Sequence, residues 1–133
     1  MNILIDTHIL IWVINDDEKL SKKAREIILD NKNSIFYSPI SIWEIELKRI
    51  MHPDNFSYTG EEVMTYANND GYIEYPLLSS QILLINKIER IDNKEHKDPF
   101  DKLLLAQAMA KDMCFMTHDE MFKGYDYKNI IIV

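Results

Sequence analysis

Glycine, cysteine and basic side chains are all scarce in this chain, and each scarcity removes a class of chemistry. Three glycines among 133 residues leave no material for a Gly-rich phosphate-binding loop. No Gly-x-Ser-x-Gly nucleophile elbow is present either. The single cysteine, Cys114, cannot form an internal disulfide, which fits a reducing cytosol. It lies in the apolar run Met113 to Met116 and reads as core rather than as a nucleophile. No Cys/His cluster has zinc spacing. No apolar stretch approaches the ~18 residues of a membrane span. The apolar start is interrupted by Asp6 and His8 and lacks a basic leader region, so it does not read as a signal peptide. Lys and Arg number 15 against 22 Asp and Glu, a net charge of −7. That balance argues against a nucleic-acid partner held by Lys and Arg, unless some of the acids bind divalent cations that supply the positive charge.

What is present is a hydrophobic content of 47%, enough for one domain over residues 1–133 with a real core. There is no internal repeat and no linker. Ile3, Leu4 and Ile5 form an unalternating apolar run, as expected of a strand covered on both faces. The run stops on Asp6, and Thr7 reads as the N-cap of a helix over His8 to Ile14. Asp6 therefore sits at the carboxyl end of a strand, the edge where open α/β sheets bind ligands. Ser21 caps a second, amphipathic helix. A short strand over Ser34 to Ser38 leads to Pro39 at the first turn of a helix reaching Met51. Helical wrapping puts Ile40, Trp43, Leu47, Ile50 and Met51 on one stripe, which predicts its buried face. Glu44 and Glu46 flank that stripe, and spacing does not choose between them.

Thr59 and Glu62 have capping-box spacing for a helix to Asn69. Tyr72 to Tyr75 reads as a strand, and Ser79 or Ser80 starts a helix carrying Ile82, Leu83, Ile85 and Ile88. Asp98, Pro99 and Asp101 occupy the N-cap, N1 and N3 positions of a helix that is apolar nearly all round to Ala110, broken mainly by Gln107. Met113 to Met116 is another apolar strand, ending in Thr117-His118-Asp119. Asn129 to Val133 is the last strand.

Alternating strands and helices predict an α/β fold with a mostly parallel sheet. Right-handed crossovers bring Asp6 and Asp119 to one edge. The helix starts holding Asp98 and Asp101 lie at that edge, and Glu44 can reach it. Acids in a first turn also complement the helix dipole by ~0.3–1 kcal/mol each and need no other purpose. Four or five crowded carboxylates repel one another, and hard cations such as Mg²⁺ or Mn²⁺ relieve that repulsion. Such ions activate water and stabilise in-line displacement at phosphorus. His8 and His96 lie near these motifs and read as core or capping groups.

Four segments resemble the signature blocks of PIN domains: Leu4 to Trp12, Ser41 to Ile45, His96 to Ala108, and Thr117 to Phe122. The chain looks most like the VapC-type ribonuclease toxins of toxin–antitoxin pairs, and the resemblance spans its whole length. It implies a three-layer α/β/α sandwich and a cytoplasmic, Mg²⁺- or Mn²⁺-dependent endoribonuclease acting on RNA. It also implies a homodimer whose acidic pocket is covered by the C-terminal segment of a cognate antitoxin. The family's acids fall on Asp6, Glu44 rather than Glu46, Asp101 and Asp119. Asp98 matches an acid common in the subgroup, as cap or outer ligand. Thr117 matches a small hydroxyl residue, with Thr7 also in support, and His118 stands where Arg is more usual. The alternatives are a structure-specific DNA or RNA nuclease of the same fold, a non-catalytic binding protein, and a phosphatase of another α/β fold with Asp6 as nucleophile. Trp12, Trp43, Phe56, Tyr58 and Tyr66 give the helices more aromatic surface than a small core needs.

Overall fold

A computed structural model describes residues 1–133. Strands β1 (Asn2–Ile5), β2 (Ser34–Tyr37), β3 (Ile73–Glu74), β4 (Cys114–Thr117) and β5 (Ile130–Ile132) form one sheet in the order β3-β2-β1-β4-β5. Every neighbouring pair is parallel, so the sheet is wholly rather than mostly parallel. The α-helices are α1 (Thr7–Asn15), α2 (Lys22–Leu29), α3 (Pro39–Met51), α4 (Gly60–Asn69), α5 (Ser79–Leu83) and α6 (Pro99–Ala110). Side chains of β1 alternate between faces. Ile3 and Ile5 enter a core shared with α1, α2 and α4, while Leu4 enters a second core built on α6. Both faces are therefore covered, and the molecule is a three-layer α/β/α sandwich, as expected. The chain builds β2 and β3 to one side of β1 and returns to place β4 on the other. That reversal, between β1 and β4, is the position where such sheets bind ligands.

Most helix starts follow the capping chemistry read from the sequence. Ser21 accepts from the Ala24 N–H, and Thr59 and Glu62 make both bonds of the capping box. The first helix differs. It begins at Thr7, and Asp6 is its N-cap, accepting from the Ile9 N–H at 2.8 Å. The helix expected to run from Ser79 to Ile88 is α-helical only to Leu83 and tightens into a 3₁₀ turn over Leu84–Lys87. Leu78 offers no side-chain cap, and the helix start is held instead by Gln81 at N3, whose Oε1 accepts from the Leu78 N–H at 2.9 Å. A further 3₁₀ turn over Glu120–Gly124 follows β4, in a stretch without helical periodicity.

Helix α3 overturns one expectation. Its buried residues are Ile40, Ser41, Glu44 and Ile45. Of the apolar stripe expected inside, only Ile40 is buried, and Trp43 and Ile50 are 53% and 78% exposed. The helix lies where the two cores meet, with Ile45 in one and Ile40 in the other. Polar residues between them turn inward because each finds a partner. Ser41 Oγ accepts from the Thr7 hydroxyl at 2.9 Å, and Lys48 pairs with Glu44. Glu46 points elsewhere and accepts from the Gly60 N–H at 2.5 Å. A Cβ at Gly60 would lie 2.7 Å from that Glu46 oxygen, so a larger residue there would displace the Glu46 side chain.

The one polar break in α6, Gln107, is fully buried. Its Nε2 donates to the Tyr75 carbonyl at 3.2 Å and to Gln81 Oε1 at 3.3 Å, and its Oε1 accepts from the Ser38 hydroxyl. Ser38 in turn caps α3 by accepting from the Ile40 N–H at 3.0 Å. One amide thus ties the end of β2, the start of α3 and the segment before α5 to α6. Gln107→Leu strands several buried polar groups at once, so it should lower the unfolding free energy by ~2–4 kcal/mol. Denaturant titration measures this, and a loss below ~0.5 kcal/mol would show that the network is dispensable.

Candidate metal centre

The register places β1 beside β4 with Ile5 opposite Met116, so the residues that follow, Asp6 and Thr117, emerge side by side. The Asp6 N–H continues the ladder by donating to the Met116 carbonyl at 3.0 Å. The Thr117 hydroxyl donates to Asp6 Oδ2 while its oxygen accepts from the Asp119 N–H at 3.0 Å. Thr117 therefore orients two acids at once. Thr7 acts one layer away, bonding to Ser41 of α3.

Three of the acids begin helical turns. Asp6 caps α1. Asp98 caps α6, its Oδ1 accepting from the Phe100 and Asp101 N–H groups at 2.9 and 3.2 Å. Asp119 caps the turn over Glu120–Gly124 by accepting from the Met121 N–H at 2.9 Å. Asp6, Asp98, Asp101 and Asp119 line one cleft of about 300 Å³ together with His8, Trp12 and His118. His118 stands at its edge, donating from Nδ1 to the Val133 carbonyl at 2.6 Å and meeting Trp12 edge-on at 5.2 Å. Glu44 is buried but lines the adjoining groove, where its carboxylate is paired with Lys48. The structure thus gathers four of the five sequence-identified acids in one cleft and sets Glu44 at its border, within electrostatic reach of Asp6 and Asp101.

His96 belongs to this site, although its sequence position suggested only a core or capping role. It is buried, and its Nε2 lies 2.8 Å from Asp101 Oδ2 and 3.9 Å from Asp119 Oδ2. Its Nδ1 is buried without a partner. The contact through Nε2 therefore ties His96 to the start of α6 at Asp101. The sequence signal was available, because His96 lies five residues before Asp101. Nothing local distinguished a side chain folded back onto the helix start from one packed in the core.

Burial pushes the Asp6 carboxyl above its ordinary value, despite the opposing hydrogen bonds from Thr117 and Ile9. Asp101 is pushed up to about 8, first by burial and then by the charges of Asp98, Asp6, Glu44 and Asp119. Burial holds His96 below its usual value. The His96–Asp101 contact is accordingly a hydrogen bond between uncharged groups near neutral pH rather than an ion pair. A cluster that favours neutral carboxyls releases protons when a cation enters. The donors are carboxylate oxygens with one imidazole nitrogen nearby and no thiolate, a set that suits a hard divalent ion. Ligand atoms of His96, Asp101 and Asp119 already lie within 4.8 Å of one another. Cys114, at the opposite end of β4, has no part in this edge.

A family model described as the PIN domain matches residues 3–127. A search of curated protein sequences gives no match. Several solved structures share the fold. VapBC2 from Rickettsia felis, bound to a DNA fragment from its promoter, aligns with a TM-score of 0.66 and 16% identity, covering 100% of this chain and 98% of that one. A toxin–antitoxin complex from Klebsiella pneumoniae aligns with a TM-score of 0.60 and 19% identity, covering 96% and 94%. VapBC-1 from nontypeable Haemophilus influenzae aligns with a TM-score of 0.60 and 16% identity, covering 92% and 91%. Because the family match begins in β1 and ends beyond Asp119, it takes in every strand and helix that carries an acid of the cleft, and the chain belongs to the PIN domain family.

Proposed function

We propose that this protein is a Mg²⁺- or Mn²⁺-dependent endoribonuclease that hydrolyses RNA phosphodiester bonds in the cytoplasm, as the toxin of a toxin–antitoxin pair. The observation that carries the reading is the convergence of Asp6, Asp98, Asp101 and Asp119 on one cleft at the switch point of the sheet. The toxin–antitoxin part draws on the likeness in fold to three such complexes. In this reading Asp6, Asp101 and Asp119 hold the ion, and Glu44 contributes from the border, directly or through water. Bound there, the ion supplies Lewis acidity toward a phosphoryl oxygen and an activated water. Thr117 keeps Asp6 and Asp119 in register, and His96 fixes one oxygen of Asp101 so that the other faces the cleft. Asp98 holds the start of α6 and thereby the placement of Asp101. No helix is long and apolar enough to cross a membrane.

The exposed apolar ridge of α3, formed by Trp43, Leu47, Ile50 and Met51, is the face proposed to pair two copies of the chain. Light scattering should give twice the monomer mass of 15.8 kDa. Ile50→Glu should return the protein to folded monomers whose melting temperature no longer rises with protein concentration. A wild-type protein that stays monomeric at high concentration would remove the ridge from this role.

Metal binding should carry a pH signature. The folded-state pKa of Asp101 is raised above its unfolded value to about 8, so the metal-free protein loses stability as pH rises from about 4 towards 8. A cation that displaces the proton reverses this. The rise in melting temperature on adding Mn²⁺ should therefore be larger at pH 8.5 than at pH 6, and EDTA should abolish cleavage. Cleavage that survives thorough chelation would overturn the mechanism. RNA and DNA oligonucleotides tested side by side decide the substrate.

Asp98 and Asp101 share one helical turn but differ in role. Asn caps a helix about as well as Asp, so Asp98→Asn should stay within ~1 kcal/mol of wild type and keep much of its activity. Asp101→Asn should also fold, because the amide, with both a donor and an acceptor, can still hydrogen-bond to His96. Its single-turnover RNA cleavage at saturating Mn²⁺ should fall at least about a hundredfold, the loss of a ~3 kcal/mol transition-state contribution. An inactive Asp98→Asn beside an active Asp101→Asn would exchange the two assignments.

A further inference from the structure

A pocket of about 170 Å³ opens between the connection that follows the 3₁₀ turn over Leu84–Lys87, the start of α6 and Tyr125. His96 stands between it and the acid cleft. Its Nε2 meets Asp101 of the cleft, and its ring lines this pocket. The charge here is the reverse of the cleft's: Arg90, Lys94 and Lys102 line the pocket, with Glu95 as its one acid. The acids nearby are engaged. Asp92 accepts from Arg90 Nε and Nη2 at 2.9 and 2.6 Å, and Glu95 pairs with Lys97 at 3.7 Å. Lys94 and Lys102 enter no salt bridge. Three buried polar atoms of the lining have no hydrogen-bond partner: Arg90 Nη1, the Tyr125 hydroxyl and His96 Nδ1. Their side chains are nine-tenths buried or more. Only one other such atom, the Tyr75 hydroxyl, occurs in the protein. Buried polar groups are normally paired, so three orphans in one place point to a ligand. The walls are fixed in advance. The Ile91 N–H donates to the Gly124 carbonyl at 2.8 Å and the Asp126 N–H to the Glu89 carbonyl at 2.9 Å, which sets Arg90 against Tyr125. The guanidinium lies over the Tyr125 ring, its Cζ 4.5 Å from the centroid.

We propose that this pocket binds a phosphate group, held by Arg90 Nη1, the Tyr125 hydroxyl, His96 Nδ1 and the ammonium groups of Lys94 and Lys102. The donors decide the class of ligand. Arginine and lysine offer no acceptor, a tyrosine hydroxyl donates freely, and an imidazole nitrogen donates in one of its tautomers. All five groups can therefore turn a proton towards one anion. Five donors exceed the roughly four lone-pair sites of a carboxylate and suit an anion with more oxygens. The charge agrees. The Arg90–Asp92 pair is neutral as a unit, and the two lysines match the charge of about −1.5 to −2 on a phosphate monoester or free phosphate. A diester, with a single charge, matches less well. The volume lies below the ~300 Å³ at which pockets for whole small molecules begin, so the site takes a group and not a nucleotide. The inference goes beyond the nuclease reading and does not need it. None of Arg90, Lys94, Lys102 and Tyr125 is proposed to touch the ion of the acid cleft.

Calorimetric titration of the full-length protein with inorganic phosphate, in EDTA and at constant ionic strength, tests the site without metal or turnover. One phosphate should bind per chain, and acetate should give no binding heat. Phosphate should also shift the His96 Nδ1 resonance in ¹⁵N NMR spectra, which locates the ion. Tyr125→Phe removes only an unpartnered hydroxyl. It should melt close to the wild-type temperature yet weaken phosphate binding about tenfold, the scale of one hydrogen bond to a charged group. Lys94→Gln, at an exposed position, should keep the fold and weaken phosphate as well. An oligoribonucleotide with and without a 5′-phosphate separates the sources. Competition with free phosphate by the phosphorylated form alone supports the site with an RNA end as its ligand, and competition by neither supports it with the free ion. No binding at millimolar phosphate, acetate binding as tightly as phosphate, or unchanged affinity in both variants would overturn the site. Failure of the protein to cleave RNA would refute the nuclease reading and leave this site standing.

Discussion

The mutual repulsion of carboxylates gathered at one edge of the sheet is the constraint on which the rest of the structure depends. The fold manages it with the positive ends of helical turns. Asp6, Asp98 and Asp119 each cap such a turn, so backbone N–H groups and helix dipoles face the cluster from three directions. A wholly parallel sheet makes this possible, because it delivers strand ends and helix starts to the same edge. Compensation is incomplete at Asp101. That side chain is half-buried among the others with no backbone donor to its carboxyl group, and desolvation with the neighbouring negative charges raises its pKa. The residue least satisfied without metal is therefore the one best placed to gain from it.

The side chains that serve folding are also those proposed to serve chemistry. Asp6 starts α1, and Thr117 braces Asp6 from the neighbouring strand. Replacing either disturbs a helix start as well as the proposed ligand site. Asp101 is different, since its place at N3 is set by the Asp98 cap and its carboxylate is held by a single contact with His96. A side chain placed this way can be altered without dismantling its helix.

Helix α3 links the proposed surfaces. Its inner face closes both cores and carries Glu44 to the border of the acid cleft. Its outer ridge is apolar and exposed. A helix whose hydrophobic stripe points outward looks inverted when taken alone. It is intelligible once the inward polar groups are seen to have partners, so that burying them leaves no unpaired charge.

The sequence by itself determined the class of fold, the order of nearly all elements, the capping of α2, α4 and α6 and the start of α3 at Pro39. These depend on short-range chemistry: uninterrupted apolar runs for strands buried on both faces, and Ser, Thr or Asp with Pro or Glu at fixed offsets for helix starts. It also marked every acid now found in or beside the cleft, because each stands at a strand end or in an early helical turn. Tertiary structure alone decided which flank of α3 faces inward, since a side chain's burial follows its partners rather than its own hydrophobicity. It decided that Gln107 is a buried junction and not a solvated break, for its partners at Ser38, Tyr75 and Gln81 lie far away along the chain. It also brought His96 onto Asp101 and raised the latter's pKa, because desolvation and through-space charge depend on distances that no spacing in a sequence contains.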